Sequence, residues 1–160
     1  MKNLDFLINN IIAHRGVHDD KTPENSIISF KKAINKGYTI ELDVHLTKDN
    51  KIVVFHDNNL KRLCGVNKII EDLTYKEILN FCLKDSKLKI PLLEEVLLLI
   101  NGKVGVLIEL KTIKFNGVLE EKLSKILDSY KGKFAVQSFN YKTVNWFKKN
   151  RPLYIRGLLV

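Results

Sequence analysis

Two short apolar runs in this chain each carry a pair of charged residues at alternate positions. The pairs are Glu41 and Asp43 in the first run, and Glu109 and Lys111 in the second. Side chains alternate between the two faces of a β-strand, so each pair points to one face while its apolar neighbours point to the other. Because burying unpaired charge is costly, we expect the two charged faces to meet. Three carboxylates and a lysine would then share one pocket, and the carboxylates need a cation between them.

Strand-like and helix-like segments alternate along the chain, with short connections between them. The expected strands span residues 11–13, 39–45, 52–56, 104–111, 134–139 and 154–160. The expected helices span residues 25–36, 73–77, 91–100, 118–130 and 141–150. This order predicts an α/β fold with a parallel sheet and helical crossovers. Only the link from Val44 to Ile52 is too short to hold a crossover helix.

The composition is ordinary for a soluble globular protein, with 45% apolar and 28% charged residues among 160, a length that suits one domain. No apolar run reaches the ~18 residues typical of a membrane span, and the N-terminus lacks the basic start of a signal peptide. Cys64 and Cys82 form no CxxC motif, which favours reduced thiols over a disulfide. We therefore expect a cytoplasmic protein without a membrane span.

The net charge of +9 is concentrated near the C-terminus, since residues 114–160 carry ten basic and three acidic side chains. Such asymmetry is found in proteins that bind nucleic acids or anionic surfaces. Here the basic residues are scattered through helical patterns without interleaved aromatic residues. This pattern favours solvated helix faces, and we expect no nucleic-acid partner. The positive charge would also attract an anionic substrate.

Polar clusters occur at or near the predicted C-terminal ends of four strands. They are His14-Arg15, the pair Glu41 and Asp43, His56-Asp57, and the pair Glu109 and Lys111. In parallel α/β folds, functional groups gather where strands end. A capped strand end or a surface loop explains any one of these clusters, but four together indicate a functional site.

The carboxylates of Glu41, Asp43 and Glu109 are oxygen ligands, which suit a hard divalent cation such as Mg²⁺ or Ca²⁺. The sequence therefore predicts a metal site at these three residues.

The other four chemically active residues fit phosphoester chemistry. Arg15 and Lys111 can neutralise phosphate oxygens, the arginine through two parallel hydrogen bonds. His14 and His56 can act as general acid and general base near neutral pH. These four residues and the metal site predict hydrolysis of a phosphate ester.

The motifs resemble those of the glycerophosphodiester phosphodiesterases. The matching segments and residues are His14–Gly16, Pro23–Ser26, Glu41–Val44, Thr47–Asp49, Val53–Asp57, Leu60, Arg62, Ile90–Leu97, Ile108–Lys111 and Gln137–Phe139. These motifs occur in the family's order over almost the whole chain. Each short motif alone is weak evidence for the family, but their combination is specific.

This resemblance implies a TIM-type (β/α)₈ barrel that hydrolyses glycerophosphodiesters to glycerol 3-phosphate and an alcohol. It implies a divalent metal on the three carboxylates, His14 and His56 as the acid–base pair, and Arg15 and Lys111 on the phosphate. The substrate, a small glycerophosphodiester, comes from the resemblance alone.

The length departs from the family pattern, because such barrels usually need ~250 residues. We count about six strand–helix units, so residues 1–160 are expected to form a single, C-terminally incomplete domain. In an incomplete barrel, the segments 11–13 and 154–160 would be exposed apolar edges. Such edges invite pairing with other chains, which predicts self-association.

Three functions therefore remain in competition. The first is the metal-dependent phosphodiesterase. The second is a catalytically weak or inactive barrel fragment that binds phosphate or a partner chain. The third is a related barrel phospholipase acting on lipid head groups, which the lack of a signal peptide and of an exposed aromatic loop argues against.

Overall fold

A computed structural model of the chain describes residues 3–160. The strands are β1 (Ile12–His14), β2 (Thr39–Leu46), β3 (Ile52–Val54), β4 (Val106–Leu110), β5 (Phe134–Ser138) and β6 (Ile155–Leu158). The α-helices are α1 (Asp5–Ile8), α2 (Ile27–Asn35), α3 (Lys61–Cys64), α4 (Tyr75–Ile78), α5 (Leu93–Ile100), α6 (Val118–Ser129) and α7 (Tyr141–Asn150). A short 3₁₀ helix spans Ile70–Asp72. Every expected strand and helix is present, with its ends shifted by up to a few residues.

The six strands form one sheet, in which β1, β2, β4, β5 and β6 are parallel and adjacent in that order. The predicted parallel α/β sheet is therefore confirmed. The link between β2 and β3, expected to be too short for a crossover, closes an antiparallel hairpin instead. The described part of the chain thus supplies five parallel strands and one hairpin strand.

Within residues 3–160, β1 and β6 lie at the two edges of the sheet. Apolar side chains on both edges are exposed to solvent, Ile12 at 37% and Leu158 at 49%. An exposed apolar edge is a template for pairing with another strand. Self-association through these edges stays a prediction.

The core is divided into two clusters of apolar side chains. The larger one fills the space between the sheet and helices α2, α5, α6 and α7, and includes Phe30, Leu42, Leu93, Ile108 and Phe147. The smaller one lies within the excursion between β3 and α5, where Phe55, Leu60, Leu63, Ile70 and Ile78 pack together. The excursion is therefore held by a core of its own rather than forming a loose loop.

Helix ends follow the capping residues in the sequence. Ser26 caps α2 by accepting from the Ser29 N–H at 3.2 Å, and Ser29 Oγ accepts from the Ser26 N–H at 3.1 Å. Thr74 caps α4 by accepting from the Glu77 N–H. Helix α5 ends at Asn101, whose φ of +45° places it in the left-handed region that terminates helices.

The turn after β1 brings the backbone of Gly16 against α2. Arg15 and Gly16 have φ angles of +60° and +79°, and the Gly16 N–H donates to the Ala13 carbonyl at 3.1 Å. A Cβ atom on Gly16 would collide with Ser29. This turn therefore needs glycine for its φ angle and for its lack of a side chain.

We expect Gly16→Ala to destabilise the protein by more than Gly37→Ala. Gly37 also has a positive φ, +68°, but no atom lies within 4 Å of its added Cβ. The Gly37 variant should lose about 1–2 kcal/mol from backbone strain alone. The Gly16 variant should lose about 1–3 kcal/mol more from overpacking. Urea unfolding of both variants measures this difference, and equal losses would contradict the contact with Ser29.

None of the helices within residues 3–160 has the length and apolar character needed to cross a bilayer. Cys64 and Cys82 are not joined by a disulfide, and both are partly buried.

Candidate active site

The predicted site residues come together at one end of the sheet. His14, Asp43 and Glu109 lie at or near the C-terminal ends of β1, β2 and β4. His56 lies just after β3, which runs antiparallel to β2, so His56 is not at the end of a parallel strand. Strand β2 extends beyond its neighbours, and the returning β3 brings the Phe55 N–H to within 3.0 Å of the Asp43 carbonyl.

The three carboxylates form a buried cluster. Glu41, Asp43 and Glu109 are exposed by only 4%, 1% and 7%, and each offers an oxygen within 4.8 Å of the others. Asp43 faces Glu109 in the parallel register of β2 and β4. Burial, followed by repulsion from Asp43, raises the pKa of Glu41 well above its ordinary value. Such a cluster offers the oxygen ligands that a hard divalent cation prefers.

Two cations contact this cluster from within the protein. Lys111 Nζ lies 2.6 Å from Glu109 Oε1 and 3.2 Å from Asp43 Oδ1. The Arg15 backbone N–H donates to Glu41 Oε2 at 3.1 Å, and its Nε lies 3.5 Å from Asp43 Oδ2. Three carboxyl groups therefore face two cationic side chains, so the cluster holds one acidic group more than it holds cations.

Asn25 is a site residue to which the sequence analysis gave no role. It is 1% exposed, it has a φ of +51°, and its Nδ2 donates to Asp43 Oδ2 at 2.9 Å. Within residues 3–160, Asn25 Oδ1 and Asp43 Oδ1 are buried without a hydrogen-bond partner. Asn25 belongs to the Pro23–Ser26 segment, which was the only signal for it in the sequence.

The two histidines differ in their surroundings. His14 is largely open to solvent, but neighbouring protein atoms remove part of the water around its ring. This desolvation, and then the adjacent Arg15 guanidinium, lower the pKa of His14. His56 Nδ1 lies 2.7 Å from Asp57 Oδ1. Hydrogen bonds from Arg62 and then from His56 lower the pKa of Asp57 to about 2, so its carboxylate is ionised near neutral pH. An ionised carboxylate only accepts, so the shared proton resides on Nδ1 and Nε2 is left for other contacts.

A cavity of about 220 Å³ opens beside the cluster. Its lining includes Glu109 and Lys111 together with Ser138, Ile113 and Phe139. Ile113 and Phe139 are exposed by 46% and 65%. The sequence analysis gave these two apolar side chains no role, because exposure of a single loop residue leaves no signal in a sequence.

The sequence is similar to those of known proteins. A sequence model of the glycerophosphoryl diester phosphodiesterase family matches residues 14–160. The glycerophosphodiester phosphodiesterase of Caldanaerobacter subterraneus subsp. tengcongensis is 38% identical over 162 residues, which cover 93% of this chain and 65% of that protein. A human lysophospholipase D is 36% identical over 133 residues, which cover 74% of this chain and 41% of that protein.

The fold is also similar to that of solved phosphodiesterase structures. The structure of an Oleispira antarctica phosphodiesterase in complex with its product sn-glycerol-3-phosphate matches this chain with a TM-score of 0.82 and 28% identity. The match covers 94% of this chain and 66% of that chain, which confirms the predicted barrel class. This chain spans less than two thirds of the length of each relative and solved structure named here. It belongs to the glycerophosphoryl diester phosphodiesterase family.

Proposed function

We propose that the protein hydrolyses glycerophosphodiesters to glycerol 3-phosphate and an alcohol, with the help of a divalent cation. The observation that carries the proposal is the buried cluster of three carboxylates, with two cationic side chains and two histidines at the same end of the sheet. The chain spans only part of its relatives, so the activity of the whole enzyme is part of this proposal.

The donor set of the cluster fits a hard cation. Carboxylate oxygens of Glu41, Asp43 and Glu109 would hold the ion, and Mg²⁺ and Ca²⁺ both prefer such ligands. Asp43 Oδ1 is buried and accepts no hydrogen bond within residues 3–160, although Lys111 Nζ lies 3.2 Å from it, so an ion could take up this acceptor. When bound, the cation polarises the phosphoryl group of the substrate.

The two cationic side chains would bind the phosphate. Arg15 is anchored through Nη1 to Glu24 at 2.9 Å, and no acceptor within residues 3–160 is bonded to its Nη2. That free edge of the guanidinium would donate to a phosphate oxygen. Lys111 lies between the carboxylate cluster and the cavity, where its ammonium group would contact a second oxygen.

The histidines would move the protons. One removes a proton from the attacking oxygen as that oxygen bonds to phosphorus. The other donates a proton to the departing alcohol oxygen as its bond to phosphorus breaks. His56, with its proton fixed on Nδ1 by Asp57, presents Nε2 for this exchange.

The cation requirement is tested with glycerophosphocholine as substrate. We expect a chelator to abolish the release of glycerol 3-phosphate, and added Mg²⁺ or Ca²⁺ to restore it. We expect Glu109→Gln to remove the rise in melting temperature that the metal alone produces, because one anionic ligand is lost. The control Glu121→Gln changes an exposed carboxylate paired with Lys125 and should retain that rise.

Full activity in chelator would contradict the role of the cation. A folded protein that binds Mg²⁺ or Ca²⁺ but releases no glycerol 3-phosphate would favour the alternative, an inactive fragment that binds phosphate or a partner chain.

The acid–base roles are tested by alanine substitution. We expect His14→Ala and His56→Ala each to lower kcat by roughly 10²–10⁴-fold, with little change in melting temperature. His18→Ala provides the control, since His18 is exposed in the loop after β1 and should leave kcat within about twofold. Unfolding of the His56 variant would instead mean that this residue is structural.

A second candidate substrate is a lysophospholipid, whose acyl chain needs an apolar surface near the phosphate. Ile113 and Phe139 line the same cavity as Lys111 and are exposed. This exposed aromatic side chain removes one of the two reasons for setting the phospholipase aside. A relative of this chain is a lysophospholipase D, which also supports the candidate.

The variant Phe139→Ser tests whether the protein acts on lysophospholipids as well as on glycerophosphodiesters, because it should affect only the former activity. A phenyl ring that contacts an acyl chain contributes about 1.5–3 kcal/mol when fully buried, so kcat/KM for lysophosphatidylcholine should fall by roughly 10- to 100-fold. The value for glycerophosphocholine should change by less than about twofold. Leu98→Ser on α5, where the leucine is 80% exposed, is the control for loss of a surface apolar group. Equal losses on both substrates would contradict the acyl contact.

The proposal includes a cytoplasmic location, which the free thiols of Cys64 and Cys82 support. Reduced cysteines persist in that compartment, whereas secreted proteins usually oxidise them.

A further inference from the structure

Glu24 joins two arginines that come from distant parts of the chain. Its Oε1 accepts from Arg15 Nη1 at 2.9 Å and from Arg62 Nη2 at 2.7 Å, and its Oε2 accepts from Arg62 Nη1 at 3.0 Å. The Glu24 side chain is only 7% exposed. One buried carboxylate therefore holds two guanidinium groups, and neither the sequence analysis nor the proposed mechanism uses it.

The network continues from Arg62 to the proposed acid–base residue. Arg62 Nε donates to Asp57 Oδ2 at 2.7 Å, and Nη2 donates to Asp57 Oδ1 at 2.9 Å. Asp57 Oδ1 also lies 2.7 Å from His56 Nδ1. Arg62 thus holds Asp57 with a fork of two hydrogen bonds and Glu24 with another, an arrangement that fixes both carboxylates in place.

We propose that Glu24 is a positioning residue that orients Arg15 directly and His56 through Arg62 and Asp57. The inference rests on the proposed function, in which Arg15 binds the phosphate and His56 exchanges a proton. Glu24 touches neither the carboxylate cluster nor the cavity, so it acts through these neighbours.

The surroundings of Glu24 suit this role. Burial acts to raise its pKa, but hydrogen bonds from Arg62 and Arg15 outweigh that effect and lower the pKa to about 2. The carboxylate therefore remains ionised near neutral pH, and each guanidinium keeps a charged partner. His56 lies outside regular secondary structure, so its ring orientation depends on side-chain contacts such as the bond to Asp57.

The first test is the tautomer of His56, which needs no catalytic activity. The chain has four histidines, and the ¹⁵N signals of His56 are assigned by their loss in His56→Gln. At a pH where the ring is neutral, we expect the wild-type protein to carry the proton mainly on Nδ1, because ionised Asp57 accepts from that atom. In Glu24→Gln, Arg62 loses one of its two ionic partners, so Arg62 and Asp57 should be less firmly placed and the two tautomers should mix.

The second test is a split between kcat and KM for glycerophosphocholine. Glu24→Gln should lower kcat at least tenfold and raise KM several-fold, because both His56 and Arg15 lose their orientation. Arg62→Gln should lower kcat to a similar extent with KM within about twofold, because the bond from Arg15 to Glu24 remains. A double variant should lower kcat no further than Glu24→Gln alone, since the two residues act in one chain of contacts.

The matched control is Asp128→Asn. Asp128 accepts from Arg151 Nε at 3.0 Å and from Nη2 at 2.7 Å, on a distant part of the surface. This substitution also takes the charged partner from an arginine fork, but it should change neither the His56 tautomer nor the kinetic constants.

Should Glu24→Gln fail to fold, Arg62→Gln replaces it, because the Arg62 side chain is 46% exposed and better tolerates substitution. An unchanged His56 tautomer in a folded Glu24 or Arg62 variant would overturn the proposal. Absence of turnover in the wild-type protein would overturn the proposed function instead, and the tautomer measurement would still decide the role of Glu24.

Discussion

The parallel pairing of β2 with β4 in a single register is the constraint on which the site depends. This register places Asp43 opposite Glu109 and Val44 opposite Leu110. Side chains alternate along a strand, so a slip by one residue would turn the carboxylates of one strand into the apolar core. Ile40, Leu42 and Val44 are fully buried on the opposite face and resist that slip. The packing of the core therefore determines where the carboxylates meet.

Collecting three carboxylates in a buried pocket costs stability, and the surroundings offset only part of that cost. Lys111 and Arg15 supply two opposing charges, and Asn25 donates one hydrogen bond to Asp43. The raised pKa of Glu41 reflects the repulsion and desolvation that remain. Sites where such an unfavourable free energy is not fully offset are typically functional sites, because they do not contribute to the stability of the fold. A cation that relieves this cost would bind all the more strongly for it.

The residues of the cluster were predictable because they depend on a local rule. Glu41 and Asp43 must share a face of β2, and in a parallel sheet the ends of neighbouring strands meet. The bonds of Glu24 to Arg15 and Arg62 follow no such rule, because they join the turn after β1 to the short helix α3 through a residue outside regular secondary structure. The direction of β3 was indicated by its short link to β2, whereas the exposure of Phe139 depends on how neighbouring segments pack around the cavity.

Strand β2 supports both halves of the proposed chemistry. Its Glu41 and Asp43 side chains belong to the carboxylate cluster, while its Asp43 carbonyl binds the backbone of Phe55 at 3.0 Å. His45, two residues further along the same face, is fully buried, and its Nε2 donates to the His56 carbonyl at 3.1 Å.

The backbone of His56 is therefore held by the strand that carries the carboxylates, although its ring is oriented from outside by Asp57. The segment between β3 and α5 packs around its own apolar core, to which Val53 of β3 contributes. Arg62 and Asp57 belong to this segment, whereas Glu41, Asp43 and Glu109 lie on the strands of the sheet. The proposed metal and acid–base functions thus share one backbone support but differ in what keeps their side chains in place.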